Sequence, residues 1–190
     1  MTLVAGTRLG RYEIRSQLGA GGMGEVYLAH DTKLDRKVAL KVLPADVASN
    51  RDRMERFVRE AKSAAALNHP NIAHIYEIAE ADGVHFIAME LVEGETLDAN
   101  ISGKPLQLKE ALAIATQIAE GLSEAHGHGI IHRDIKPGNI MIAAHRRVKV
   151  MDFGLAKVIE TREAISTEAE TKNLLTSPGA IIGRSEEHTS

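Results

Sequence analysis

The segment His132-Arg133-Asp134-Ile135-Lys136-Pro137-Gly138-Asn139 sets a carboxylate able to accept a proton, Asp134, beside an ammonium, Lys136, and an amide, Asn139. After one apolar interval, Asp152-Phe153-Gly154 brings a second carboxylate, one able to hold a metal ion. A proton acceptor, a cation and a metal-holding carboxylate are parts that phosphoryl transfer uses. The interval between them reads as a hairpin: Ile140-Met141-Ile142, a polar turn from Ala143 to Arg147, then Val148-Lys149-Val150-Met151. Both loops should therefore emerge at one end of the same small sheet.

The first half of the chain reads as strands. Alternation from Tyr12 to Leu18 resumes at Glu25-Val26-Tyr27-Leu28-Ala29, which predicts a hairpin turning at Gly19-Ala20-Gly21-Gly22-Met23-Gly24. Glycines there let backbone amides approach phosphates closely. The spacing alone is weak evidence, since plain turns and dinucleotide folds use it too. A dinucleotide fingerprint needs a helix opening at the last glycine, whereas Val26 and Leu28 continue a strand, so the loop reads as a phosphate cover. Next comes Lys37-Val38-Ala39-Leu40-Lys41-Val42-Leu43, in which Lys41 shares a face with Ala39. An isolated lysine there would be an ordinary solvated side chain; the glycine hairpin upstream makes it a phosphate-binding candidate.

Met54, Phe57, Val58, Ala61, Ala64 and Ala65 recur at helical spacing, predicting a helix over 51–67 that Asn68-His69-Pro70 stops. Glu60 borders the buried stripe, where a carboxylate needs a partner; Lys41 is one candidate and Arg56, at helical spacing, the other. Strands are expected over 72–80 and 84–91, joined at Asp82-Gly83. In the second half Leu108, Leu112, Ala115, Ile118, Ala119, Leu122 and Ala125 form one helical stripe ended by Gly127 and Gly129. His126 and His128 then read as residues finishing the helix rather than as metal ligands. Beyond Ile159 the period dissolves into a threonine- and acid-rich stretch, read as a mobile loop or tail. Its hydroxyls Thr167, Thr171, Thr176 and Ser177 suit phosphorylation, with Arg133 as a cation to receive the charge.

Composition narrows the classes. With 190 residues, 44% of them apolar, there is enough chain for one or two units with a real core. A formal charge of -3, mixed charge signs and 3% aromatic residues give neither a basic groove nor a base-stacking platform, so no nucleic-acid partner is expected. There is no cysteine, hence no disulfide and no thiolate metal site. Neither a signal h-region nor a run of membrane-spanning length is present, and a cytoplasmic location is expected, any membrane anchor lying beyond the C-terminal end.

Taken together, these motifs resemble the eukaryotic-like serine/threonine protein kinases of bacteria over about residues 12–183. The resemblance implies an α+β, bilobal kinase-like fold: an N-lobe antiparallel sheet with one regulatory helix over 12–91, after a lead at 1–11, and an incomplete, mainly helical C-lobe over 92–183. It implies ATP as co-substrate with magnesium, or manganese in its place, and serine or threonine hydroxyls of proteins as acceptors. It implies nucleotide contacts from Leu18, Gly19, Ala20, Gly21, Gly22, Met23, Gly24, Val26, Ala39, Lys41, Met89, Glu90, Val92 and Met141. Met89 corresponds to the gatekeeper, and backbone groups of Glu90 and Val92 to those that pair with adenine. Asp134 matches the catalytic base, Lys136 the residue near the γ-phosphate, Glu60 the helix partner of Lys41, and Asn139 with Asp152 the metal ligands. Thr171, Thr176 and Ser177 are the activation-loop phosphosite candidates, and self-association with autophosphorylation is expected of a full-length form.

One departure stands out. Where the family continues toward a Pro-Glu pair, this chain has Arg184-Ser185-Glu186-Glu187-His188-Thr189-Ser190, which looks like a translated sequencing adapter, a non-native tail over 184–190. The chain as written is therefore expected to keep the nucleotide cleft yet show little or no transfer. A pseudokinase-like module that holds ATP without transferring phosphate is the alternative, and a dinucleotide oxidoreductase the more distant one.

Overall fold

The computed structural model of the chain describes residues 2–21 and 24–153. Gly22 and Met23 of the expected phosphate loop lie outside the described residues, as do Thr167, Thr171, Thr176, Ser177 and the 184–190 tail. Strands β1 (Arg8–Leu9), β2 (Tyr12–Gly21), β3 (Gly24–Asp31) and β4 (Arg36–Val42) are followed by helices α1 (Ala45–Ala48) and α2 (Arg51–Ala65), then by β5 (Ile75–Ala81) and β6 (Val84–Glu90). These strands make one antiparallel sheet in the order β1-β2-β3-β4-β6-β5.

Register decides what each face of that sheet carries. Val26 lies opposite Lys41 and Leu28 opposite Ala39, while Ala39 in turn faces Met89 and Lys41 faces Ile87. Side chains alternate along a strand, so these six share one face. Ala39, Ile87 and Met89 pack there in one cluster with Phe57, Ala61 and Ala64, the buried stripe of α2. The opposite face buries Tyr27, Ala29, Val38, Leu40, Phe86 and Ala88 under Leu9, Tyr12 and Ile14. α2 opens where the Asn50 side chain accepts the Arg53 amide at 3.0 Å, satisfying one of the helix's otherwise unpaired donors.

The glycine run differs from its sequence reading. Gly19, Ala20 and Gly21 are still strand, paired with Val26, Glu25 and Gly24. Alternation cannot reveal such a segment, because small residues exposed on both faces carry no hydrophobic signal. Gly24 itself is obligatory: its φ is +107°, and a Cβ there would run into the Val42 carbonyl oxygen.

The rest of the described chain comprises β7 (Gly94–Thr96), α3 (Leu97–Ser102), α4 (Leu108–Gly127), β8 (Ile140–Ala143) and β9 (Val148–Val150). β7, β8 and β9 form a small antiparallel sheet in that order. Two of these elements carry too little pattern to be read in advance. β7 is three residues long, and α3 buries none of its side chains; their local signals are Gly94, where a Cβ would strike the Ile142 carbonyl, and Thr96, whose hydroxyl accepts the Ala99 amide at 3.1 Å. α4 has the predicted bounds, with His128 at its C-cap, and leaves Leu108 76% and Leu112 59% exposed. Among the described residues no helix is long and apolar enough to cross a membrane.

The expected strand at 72–80 begins only at Ile75, because the residues before it serve the other sheet. The Val150 amide donates to the Asn71 carbonyl at 2.8 Å and the Ala73 amide to the Val150 carbonyl at 3.0 Å, a parallel bridge at Ile72. Buried Asn71 adds bonds to the Val148 carbonyl at 2.8 Å and to the Gln117 side chain of α4 at 3.1 Å. Thus the linker after α2 fastens the large sheet to the strand that leads to Asp152.

All three tyrosines sit in the large sheet, and each phenol is held above its ordinary 10.0, chiefly by burial. Tyr12 is pushed up to about 12 by burial and by donating to Glu77 at 2.6 Å, which favours the protonated phenol. A raised phenol contributes stability below pH 10 that is lost as pH rises between the unfolded and folded values, because the unfolded chain ionises first. Ultraviolet titration of the native chain should show no phenolate step at pH 10, and thermal stability should fall as pH climbs from 10 toward 12. A native phenolate midpoint at 10 would contradict this packing.

Candidate active site

Among the described residues Lys41 is the one buried lysine, 4% exposed, and a buried ammonium needs a counter-charge. Its Nζ meets the Asp152 carboxylate at 2.8 Å, joining the α2-packed face of the large sheet to the segment that follows β9. Asp152 takes a left-handed backbone, φ 58°, a region few non-glycine residues visit but aspartate more readily than most. The Met151 amide beside it donates to the Asn139 carbonyl at 2.9 Å.

Asn139, buried at the base of the loop, turns its side-chain amide toward Asp134. Its Nδ2 donates to the Asp134 carbonyl at 2.8 Å and to the Asp134 carboxylate at 2.9 Å. With Nδ2 so committed, the amide oxygen is the end turned away from Asp134, and an amide oxygen plus the Asp152 carboxylate are the hard donors that magnesium or manganese prefers. Lys136 Nζ lies 2.7 Å from the Asp134 carboxylate. The Lys136 ammonium, then the Asn139 amide, hold the Asp134 carboxyl below its ordinary 3.8 against the opposing effect of burial.

His132 fixes this loop from within. The ring is 1% exposed, its Nε2 lies 2.7 Å from the Met151 carbonyl, and its Nδ1 accepts the Asp134 amide at 3.3 Å. One neutral tautomer, with the proton on Nε2, satisfies both bonds. Burial pushes the imidazole below 6.5, outweighing the Met151 carbonyl and the two nearby aspartates. Edge contact with Phe153, at 4.6 Å between ring centroids, completes the packing. No local spacing singles out His132; its one sequence signal is a histidine directly before the charged triplet, entered from Ile130 and Ile131.

Glu60 is placed differently from either sequence expectation. It pairs with neither Lys41 nor Arg56 among the ion pairs of the described residues; Arg133 Nη1 reaches its Oε1 at 3.2 Å, leaving the buried Oε2 without a hydrogen bond. Arg133 has a left-handed backbone, φ 68°, at the start of the loop that carries Asp134. The partner was invisible to helical spacing because it comes from a loop far along the chain, while Lys41 is already neutralised by Asp152.

The remaining predicted contacts fall on the same framework. Val26, Ala39 and Met89 belong to the Lys41 face of the sheet, and Glu90 and Val92 to the end of β6 and the segment leaving it. Met141 lies on β8 opposite Lys149. Leu18, Gly19, Ala20 and Gly21 are exposed along the far end of β2, with Gly24 opening β3. A bonded path therefore runs from the sheet to the loop: Lys41 to Asp152, then Met151 to Asn139, Asn139 to Asp134, and Asp134 to Lys136.

Comparison with known proteins agrees with this geometry. The family model described as protein kinase domain matches residues 12–190. The chain is 46% identical over 169 residues to the serine/threonine-protein kinase PrkC of Bacillus subtilis, covering 88% of this chain and 26% of that protein. It is 45% identical over 178 residues to the serine/threonine-protein kinase PknB of Mycolicibacterium smegmatis, covering 91% of this chain and 27% of that one. Among solved structures, the PknI kinase domain of Mycobacterium tuberculosis superposes with a TM-score of 0.73 at 36% identity, over 81% of this chain and 62% of that structure. The chain thus spans about a quarter of the length of these curated relatives.

Proposed function

Because this chain belongs to the protein kinase domain family, we propose that it is the nucleotide-binding and catalytic part of an enzyme that moves the γ-phosphoryl group of ATP to serine or threonine hydroxyls of proteins. The observation that carries this reading is the bonded path from Lys41 through Asp152 and Asn139 to Asp134 and Lys136. ATP lies under Leu18, Ala20 and the glycines of the β2–β3 hairpin, its base between Val26, Ala39 and Met141, with Met89 behind it. Backbone groups of Glu90 and Val92 take the adenine edge. Magnesium, with Asn139 and Asp152 as its protein ligands, would neutralise phosphate charge.

In this arrangement Lys41 exchanges Asp152 for the α- and β-phosphates, Lys136 meets the γ-phosphate, and Asp134 receives the acceptor hydroxyl's proton. Since Lys136 and Asn139 keep the Asp134 carboxyl below 3.8, it is a weak base before reaction. Its main contribution is to orient the hydroxyl in line with phosphorus, accepting the proton late. Titration of the chain with magnesium and ATP should give saturable binding, and a protein carrying the whole catalytic domain should phosphorylate a serine/threonine peptide. Binding of a reduced nicotinamide with no response to ATP would sink the reading.

For the 190-residue chain alone we propose nucleotide binding with little transfer. Glu60 is engaged by Arg133 rather than Lys41, and Leu108 and Leu112 of α4 stand uncovered. Brisk magnesium-dependent peptide phosphorylation by the isolated chain would overturn this.

A further inference from the structure

Lys149 has no part in the roles above, yet its ammonium joins three segments of the chain. It donates to the Glu90 carboxylate at 2.8 Å and to the Ile72 carbonyl at 3.2 Å. The same Glu90 oxygen accepts the His74 amide at 3.1 Å, and the Glu90 amide donates to the His74 carbonyl at 2.8 Å. Both side chains are largely covered, Lys149 18% and Glu90 27% exposed. Glu90 closes β6, Ile72 and His74 belong to the linker after α2, and Lys149 lies on β9 shortly before Asp152.

An exposed lysine–glutamate pair contributes little, because solvent screens it and two flexible side chains must be ordered. This pair is different in kind: the carboxylate has a second donor and the ammonium a second acceptor, both from backbone, so the bonds fix orientation as well as charge. Glu90 commits its side chain and its amide to the scaffold. The main chain that follows, through Leu91 to Val92, is thereby held relative to the strand that delivers Asp152.

We infer that Lys149 is a positioning residue for recognition of the adenine base, acting through Glu90 and touching no part of the nucleotide. The inference rests on the ATP reading of the cleft. It separates two parts of one ligand: the base, whose site depends on Lys149, and the phosphates, whose site depends on Lys41 and the metal ligands. It also explains why a basic residue stands in a strand otherwise built of Val148 and Val150.

The test uses the 190-residue chain and two probes, ATP and inorganic tripolyphosphate, each titrated calorimetrically with magnesium present. In Lys149→Met the ATP dissociation constant should rise about tenfold, the scale of one charge-assisted hydrogen bond. Tripolyphosphate affinity should stay within about twofold of the parent, as a probe without a base does not sense the Glu90–Val92 main chain. Lys149→Arg should recover most of the ATP affinity, and Glu90→Gln, which keeps an acceptor for the His74 amide, should weaken ATP in the same selective way. Unchanged ATP affinity in Lys149→Met would overturn the inference while leaving the ATP reading intact. Equal loss for both probes would also overturn it, by showing a merely structural role. A parent chain that binds neither probe would remove the ATP reading and this inference with it.

Discussion

Replacing Lys41 by methionine should raise the dissociation constant for magnesium–ATP by about 100-fold, with only a small change in melting temperature. Hydrogen bonds to charged groups are worth about 1.5–3 kcal/mol each, and about 1.4 kcal/mol is a factor of ten, so the loss of two phosphate contacts reaches this range. Methionine matches the apolar stem of lysine, which is buried between β3 and β6, so the packing of the sheet survives. The Asp152 carboxylate loses its 2.8 Å partner, but its side chain is 22% exposed and water can replace the ammonium. The measurement is calorimetric titration alongside thermal unfolding. If ATP affinity were unaltered, the phosphates would not be bound by this lysine.

Replacing Asp134 by asparagine should leave ATP affinity unchanged and lower phosphoryl transfer by about 10²–10⁴-fold, the usual contribution of a positioned general base. The substitution preserves shape but removes the proton acceptor and the charge that holds Lys136 at 2.7 Å. It is measured in a protein carrying the whole catalytic domain, by peptide phosphorylation and ATP titration in parallel. A corollary concerns pH: with the carboxyl held below 3.8, Asp134 adds no inflection to the rate profile between pH 5 and 8. Transfer within a few-fold of the parent, or a limb in that window abolished by the substitution, would show that Asp134 does something else.

How far the sequence carried this account depends on whether a signal was local. The α2 stripe, the α4 stripe and the β3 and β4 alternations each repeat within a few residues and predict their elements, with most ends within a few positions. The sharing of one face by Lys41 and Ala39 follows from strand geometry alone, and the register opposite Met89 agrees with it. β7 and α3 are short and bury too little to leave a period. The late start of β5 reflects competition for residues 71–73 by β9, which no local pattern contains.

The same division applies within the site. Motif spacing brought Asp134, Asn139 and Asp152 forward as residues, and the structure links them by hydrogen bonds. Spacing on neighbouring elements offers Lys41 and Arg56 as partners for Glu60, whereas Arg133 arrives from the far loop through a left-handed residue. Lys149 and His132 escaped for a related reason. Their significance lies in which carbonyl or carboxylate they meet across the molecule, and one sequence does not display such meetings.

The central claim is that a triphosphate binds against Lys41, between the β2–β3 hairpin and the two acidic loops. An acyl phosphate of ATP transfers its acyl group to a lysine amine lying beside the phosphates, forming an amide and releasing ATP, and the modified peptide is then identified by mass spectrometry. The account predicts acylation of Lys41, suppressed by excess ATP with magnesium. Labelling confined to other lysines and equally protected by ATP, with Lys41 untouched, would contradict it.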